Sequence, residues 1–132
     1  MIGRRELLRA MAALGSACLA SGGGGALSAC FREDRLERAL RAFFADRESA
    51  REVGSAVQAA LPDAASARIL VDRLGRRRGA ELRALADSDP ERLAEALRAQ
   101  HREDFALGRV VVVRSWVLSQ TEAWLLALAA LP

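Results

Sequence analysis

The chain has 132 residues, which is enough for one small domain and no more. All twenty of its basic residues are Arg, and three of these lie before Cys30 together with one of the seventeen acidic residues. From Phe31 onward the chain therefore has seventeen Arg and sixteen Asp and Glu. This part of the chain is close to neutral, and we expect no nucleic-acid partner. Residues 30–132 contain one His and one Cys, which cannot supply the usual three or four ligands of zinc, and we expect neither a metal nor a cofactor.

The first thirty residues have the order of a secretory signal. Arg4 and Arg5 come first, an apolar run covers residues 10–20, and small residues follow it up to Cys30. The apolar run is shorter than the roughly 20 residues that a membrane-spanning helix needs. We predict that residues 1–30 are an export signal and that residues 31–132 form a small, mainly helical domain in the periplasm.

The basic start of this signal resembles the twin-arginine (Tat) pattern. In that pattern two arginines are followed by any residue, two apolar residues and a basic one, and here the matching positions are Arg4, Arg5, Leu7 and Leu8. Gly3 stands where Ser or Thr is usual before the pair. The resemblance implies transient contact with the Tat translocase, while the general secretory route stays open as the alternative.

The end of the signal resembles the lipobox of bacterial lipoproteins. There, "LSAC" at residues 27–30 would place Cys30 as the acylated first residue of the mature chain, and its lipid would anchor the protein to the membrane. Ordinary cleavage after Ala29, without a lipid, is the alternative. Either event removes Cys18 and leaves the mature chain with no internal disulfide.

Hydrophobic residues at helical spacing predict four or five short helices in the body. In chain order these cover residues 31–45, 51–61, 63–75, 80–87 and 89–105. Asp63 is the expected N-cap of the third helix and Gly75 its stop, while Pro90 in the first turn, after Ser88 or Asp89 as the cap, begins the last. The three arginines of residues 76–78 are expected in a solvated turn.

The tail predicts a β-hairpin followed by a closing helix. The β-branched run Val110–Val113 can pair with residues 116–118 around a turn at Arg114 and Ser115. Two-residue turns favour positive φ at both central residues, for which Arg and Ser are poor choices. Because a lone hairpin is only marginally stable, it must lie on helices or on another chain. The predicted fold is therefore a small bundle of short helices with a β-hairpin before the C-terminal helix.

A capping box marks the beginning of the closing helix. In this pattern the Ser119 side chain accepts from the amide of Glu122, and the Glu122 side chain returns to the amide of Ser119. The apolar stretch that follows, up to Leu131, is expected to be a buried or half-buried helix.

The tail also resembles a known group of proteins. "DFALGRVVVVRSWVLSQTEAWLLALAAL", Asp104–Leu131, is similar to the closing motif of small Tat-signal proteins of Gram-negative bacteria, and "REVGSAVQAALP" is similar to the beginning of their mature region. The matching positions are Trp116, Leu118, Ser119, Thr121, Glu122 and Ala123. Ser115 stands where the group has Gly, and Trp124 where it has Arg. The resemblance implies export and a shared small fold, and it brings no established activity.

A catalytic interpretation would begin with Ser119, His101, Asp104 and Glu122, the available nucleophile, base and carboxylates. Ser119 already has a capping task, and His101 lies among polar residues that indicate a solvated helix end. We therefore predict no enzymatic activity and keep a small hydrolase as the least favoured class.

An interaction surface is the better prediction. The apolar residues of the tail include Trp116, Trp124, Val111 and Val113, and we expect an Ala-rich core to leave them partly exposed. The alternative is that both tryptophans complete the core. These features predict an exported, non-catalytic accessory protein that escorts or anchors a larger Tat-exported redox enzyme. A stand-alone envelope lipoprotein with a structural role is the alternative.

Overall fold

The structure is a computed structural model, and it describes residues 35–132. The predicted export signal with Arg4, Arg5, Leu7 and Leu8, and the predicted lipidation site Cys30, lie outside the described residues.

The described chain is mainly helical, with one hairpin before the last helix, as the sequence predicts. Its first helix, α1, covers residues 35–41. The remaining elements are α2 (Arg47–Ala60), a 3-10 helix (Pro62–Ala65), α3 (Ala67–Gly75), α4 (Gly79–Ser88), α5 (Pro90–Ala106), β1 (Val110–Val113), β2 (Trp116–Ser119) and α6 (Gln120–Ala130).

Three predicted helix boundaries are wrong. Helix α1 ends at residue 41 rather than 45. Asp46 is the N-cap of α2 and accepts from the amide of Ser49 at 3.0 Å. This cap was missed, so α2 begins four residues earlier than the predicted start at Arg51. Asp63 lies inside the 3-10 helix instead of capping α3, whose N-cap residue is Ser66.

Helix α6 is the centre of the core, and most of its residues are buried. Helix α2 crosses it closely enough that a Cβ at Gly54 would lie 2.7 Å from the carbonyl carbon of Leu126 and 2.9 Å from the Cβ of Ala130. This approach gives a physical reason for a glycine in the middle of a helix, where it otherwise costs stability.

The carbonyl groups at the end of α6 are satisfied by two side chains from other helices. Arg41, held by Glu37 at 2.8 Å, donates to the carbonyls of Leu128 and Leu131. Gln58 donates to the carbonyl of Ala127 at 2.9 Å. These bonds satisfy carbonyl groups that have no partner within α6, and they fix α1 and α2 against its end.

The hairpin is antiparallel, with Val112 opposite Val117 and Val113 opposite Trp116. Its turn departs from the expected geometry: within the described residues Arg114 is the one non-glycine residue with positive φ (56°), and Ser115 does not share it. Only the first turn position therefore needs the left-handed conformation, which is typical of a type II′ turn. The resembled proteins have Gly at the position of Ser115, but the residue with positive φ in this turn is Arg114.

Candidate functional site

The buried carboxylate of Asp104 is the centre of a polar cluster made by α5, α6 and two arginines. One carboxylate oxygen accepts from the amide of Thr121 at 2.8 Å and from its hydroxyl at 2.6 Å, and the other accepts from Arg77 at 2.8 Å. Arg109 lies 3.3 Å from the second oxygen, at ion-pair distance but without forming a hydrogen bond. We call Asp104, Thr121, Arg77 and Arg109 the Asp104 cluster.

The protonation state of Asp104 follows from these contacts. Its side chain is fully buried, and burial raises the pKa of a carboxyl group. The hydrogen bonds from Thr121 and the ion pair with Arg77 outweigh burial, so the pKa of Asp104 lies below its ordinary value. The carboxylate is therefore charged at neutral pH and holds the beginning of α6 against the end of α5.

The predicted turn is present at residues 76–78 and Arg76 is exposed as expected, but the guanidinium of Arg77 reaches the Asp104 cluster. Its guanidinium contacts Asp104 at 2.8 Å and Glu103 at 3.9 Å, and its side chain is only 26% exposed. Nothing in the local sequence distinguishes Arg77 from its neighbours Arg76 and Arg78, because the partner is supplied by a residue far along the chain.

A second polar group brings His101, Ser119 and Glu122 together. Ser119 is the N-cap of α6, and its Oγ accepts from the amide of Glu122 at 3.0 Å. The Nδ1 atom of His101 lies 2.9 Å from the same Oγ. The return bond of the predicted capping box is replaced, since the Glu122 carboxylate lies 3.9 Å from Nδ1 of His101.

His101 is therefore placed differently from the sequence prediction. It lies inside α5, which continues to Ala106, and its side chain is 37% exposed rather than part of a solvated helix end. Its ring packs edge-on against Phe105, with 5.1 Å between ring centroids. The missed signal is spacing: His101 and Asp104 lie three residues apart, so both are on the face of α5 that meets the beginning of α6.

The arrangement of these groups does not match a catalytic triad. In a triad the serine and the carboxylate contact opposite nitrogens of the histidine ring. Here Ser119 and Glu122 approach the same nitrogen, Nδ1, and Asp104 is engaged by Thr121 and Arg77. Ser119 is also fully buried, so its Oγ cannot reach a substrate from this conformation.

Two pockets lie on either side of Glu122. One has a volume of about 190 Å³ and opens beside His101, with Phe43, Leu97 and Leu125 among its walls. The other, of about 330 Å³, lies between Trp116 of the hairpin and the beginning of α2. Phe44 and Glu122 line both. The walls are mainly apolar, and the arrangement indicates a binding surface more than a reaction centre.

The predicted interface residues divide into two groups. Trp116 is 42% exposed, whereas Val113 is 1% exposed and Val111 is half-buried. The choice of Val111 and Val113 was wrong because strand residues alternate, and this pair faces the helices. The exposed valines are Val110, Val112 and Val117 instead.

We call Val110, Val112 and Val117 the outer valine face. Its most exposed member is Val112, at 65%. Phe105 and Leu107, at the end of α5 and just before the hairpin, are exposed apolar residues as well. Trp124 does not belong to this surface: it packs against the core from α6, with the Arg73 guanidinium 6.0 Å from its ring centroid.

The comparisons with known proteins give no family. No protein-family model, no curated protein and no solved structure matches this chain. Among residues 35–132, no helix is long and apolar enough to cross a membrane. In that same part of the chain, no group of three or more His, Cys, Asp or Glu side chains is arranged to hold a metal ion.

Proposed function

We propose that this protein is an exported accessory protein without catalytic activity of its own, which escorts or anchors a larger Tat-exported redox enzyme. The observation that carries the proposal is the outer valine face together with Phe105 and Leu107. Five exposed apolar side chains lie within a short stretch at one end of a folded domain, and such concentrations are typical of protein interfaces.

The polar residues of the tail motif support this proposal by having structural partners. Asp104, Thr121 and Ser119 are buried, and their contacts with one another and with His101 join α5 to the beginning of α6. Their chemistry is used to hold the hairpin and its flanking helices in place. Rigid support of the outer valine face favours a role in binding another protein.

Export is the second part of the proposal and rests on the sequence. The twin arginines Arg4 and Arg5 favour the Tat route, which carries folded cargo, and Cys30 favours a lipid anchor in the periplasm. A folded small subunit that travels with a larger enzyme would use both features. The choice of a redox enzyme as partner rests on the route alone.

Co-purification from membranes tests the proposal. The full-length chain with a C-terminal tag would be expressed in a Gram-negative host and extracted in mild detergent, and mass spectrometry would identify its N-terminus and its bound proteins. We expect an acylated N-terminus at Cys30 and one stoichiometric large oxidoreductase. An acylated chain that purifies alone as a stable monomer would contradict the accessory role and favour the stand-alone envelope lipoprotein.

The hydrolase alternative has its own test. His101 lies 2.9 Å from Ser119 Oγ, which is the one geometric feature that favours nucleophilic chemistry. Ser119→Ala should leave any ester hydrolysis by the purified protein unchanged. A hydrolytic activity that this substitution abolishes, in a variant that remains folded, would contradict the non-catalytic proposal.

A further inference from the structure

Strand β1 forms an edge of the two-stranded sheet, and its outward-pointing backbone groups can be assigned from the register. The amide of Gln120 donates to the carbonyl of Arg109 at 3.0 Å, which makes Arg109 and Gln120 a hydrogen-bonded pair. Bonded and non-bonded pairs alternate along an antiparallel ladder. Val112, opposite Val117, is therefore in a non-bonded pair, and its N–H and C=O point away from β2.

The two edges of the hairpin differ in their surroundings. Strand β2 continues directly into α6, and His101 of α5 contacts its last residue, Ser119. On β1, Val112 has the most exposed apolar side chain of the hairpin, and its backbone groups have no hydrogen-bond partner in the part of the chain that the structure describes. An apolar edge strand without charged side chains is a template for another strand.

The charges at the ends of β1 distinguish between possible occupants. Arg109, at the beginning, lies near Asp104 and Glu103, at 3.3 Å and 3.8 Å. Arg114, at the end, is exposed and has no carboxylate within 4.0 Å among residues 35–132. In a second copy paired antiparallel through the outward groups of Val112, Val112 would lie opposite Val112 and Arg114 opposite Val110, so Arg114 would gain no counter-ion.

From these observations, and resting on the proposed function, we propose that β1 accepts an extended strand of the partner enzyme. That strand runs antiparallel to β1, carries β-branched residues, and places an acidic residue opposite Arg114. The backbone of Val112 supplies hydrogen bonds, the outer valine face contacts alternate side chains of the incoming strand, and Arg114 selects its charge. This mode of recognition is β-augmentation.

The test uses the full chain and a synthetic peptide, acetyl-Glu-Val-Thr-Val-Thr-amide, whose N-terminal Glu meets Arg114 in the antiparallel arrangement. A matched peptide carries Lys in place of Glu. Binding would be followed by the NMR shifts and the hydrogen exchange of the Val112 amide. We expect the Glu peptide to bind about fivefold more tightly than the Lys peptide, and Arg114→Glu to reverse this preference.

Two substitutions at Val112 separate strand pairing from apolar contact. Val112→Pro keeps an apolar side chain but removes the outward N–H, which an edge position tolerates, whereas Val112→Thr keeps the backbone and shape but reduces the apolar surface. Strand pairing predicts that the Pro variant loses at least about tenfold in affinity and that the Thr variant loses little. Urea unfolding of both variants would establish that they remain folded.

Four results would overturn the inference. Unchanged binding by the Pro variant, with weak binding by the Thr variant, would mean that the outer valine face acts without strand pairing. Equal affinity for the Glu and Lys peptides would remove the role of Arg114. Concentration-dependent dimers that protect the Val112 amide would assign the edge to a second copy. An enzyme that co-purifies equally with wild type and with Val112→Pro would overturn the inference while leaving the proposed function in place.

Discussion

Replacing Asp104 by Asn should destabilise the protein more than any other exchange of a carboxylate for an amide in residues 35–132. The Asn side chain keeps the shape of Asp104 but loses the charge that faces Arg77 at 2.8 Å and Arg109 at 3.3 Å. Breaking a buried ion pair by removing one partner costs about 3–5 kcal/mol when the remaining charge is left unpaired. Here Glu103 stays only at 3.9 Å from Arg77 and 3.8 Å from Arg109. We therefore expect the free energy of unfolding to fall by about 3 kcal/mol or more.

Asp63 provides a matched control. Its carboxylate lies 2.9 Å from Arg73, but its side chain is 70% exposed, and an exposed ion pair contributes about 1 kcal/mol at most. Equilibrium urea unfolding of wild type, Asp104→Asn and Asp63→Asn, followed by circular dichroism, would give the two differences. A loss below about 1 kcal/mol for Asp104→Asn would refute the proposed role of the Asp104 cluster.

The pH dependence of stability tests independently whether Asp104 is charged in the folded protein. The pKa of Asp104 is lowered in the folded protein, so its contribution is present above the ordinary pKa of 3.8 and is lost as pH falls through the folded value. Wild type should therefore lose stability below about pH 4 more steeply than Asp104→Asn. Parallel pH profiles for the two proteins would contradict the assignment of a charged Asp104.

The other predictions concern the backbone and the cap. Gly54→Ala should cost about 3 kcal/mol, because the new Cβ meets the backbone of α6, whereas Gly75→Ala, with open space around it, should be neutral or stabilising. Arg114→Gly should raise stability by about 1 kcal/mol by relieving the positive φ, and Ser115→Gly should not. Ser119→Ala should cost about 0.5–2 kcal/mol through the lost N-cap. Thermal or urea unfolding of each variant would measure these changes, and an inverted order within either glycine pair would contradict the packing or the turn geometry described above.

The order of helices and hairpin was predictable because local signals mark it. Pro90 and Asp89 begin α5, and the β-branched run Val110–Val113 forms a strand, each through chemistry that acts within a few residues. Helix α3 ends at Gly75 as predicted, but without the positive φ that makes glycine a helix stop. The early beginning of α2 was also a local signal, since Asp46 and Ser49 form a recognisable cap. The sequence therefore contains the information that places this boundary.

The polar contacts of the tail were not predictable in the same way. The residues themselves were singled out, but the partners of Asp104 and His101 lie on other elements and depend on how α5 meets α6. Arg77 joins the cluster from a turn 27 residues away from Asp104. The sequence predicts that alternate valines of β1 face the helices, because side chains alternate along a strand. It does not say which of the two sets does so.

The measurement that tests the escort role most directly is the location of the partner enzyme in cells that lack this protein. Cells would be fractionated, and the enzyme that co-purifies with the tagged chain would be quantified in cytosol, periplasm and membrane. The account predicts that the enzyme stays in the cytosol without this protein, and that wild type, but not the Arg4→Lys, Arg5→Lys double variant, restores export. An enzyme that reaches the periplasm in normal amounts in the absence of this protein would contradict the escort role.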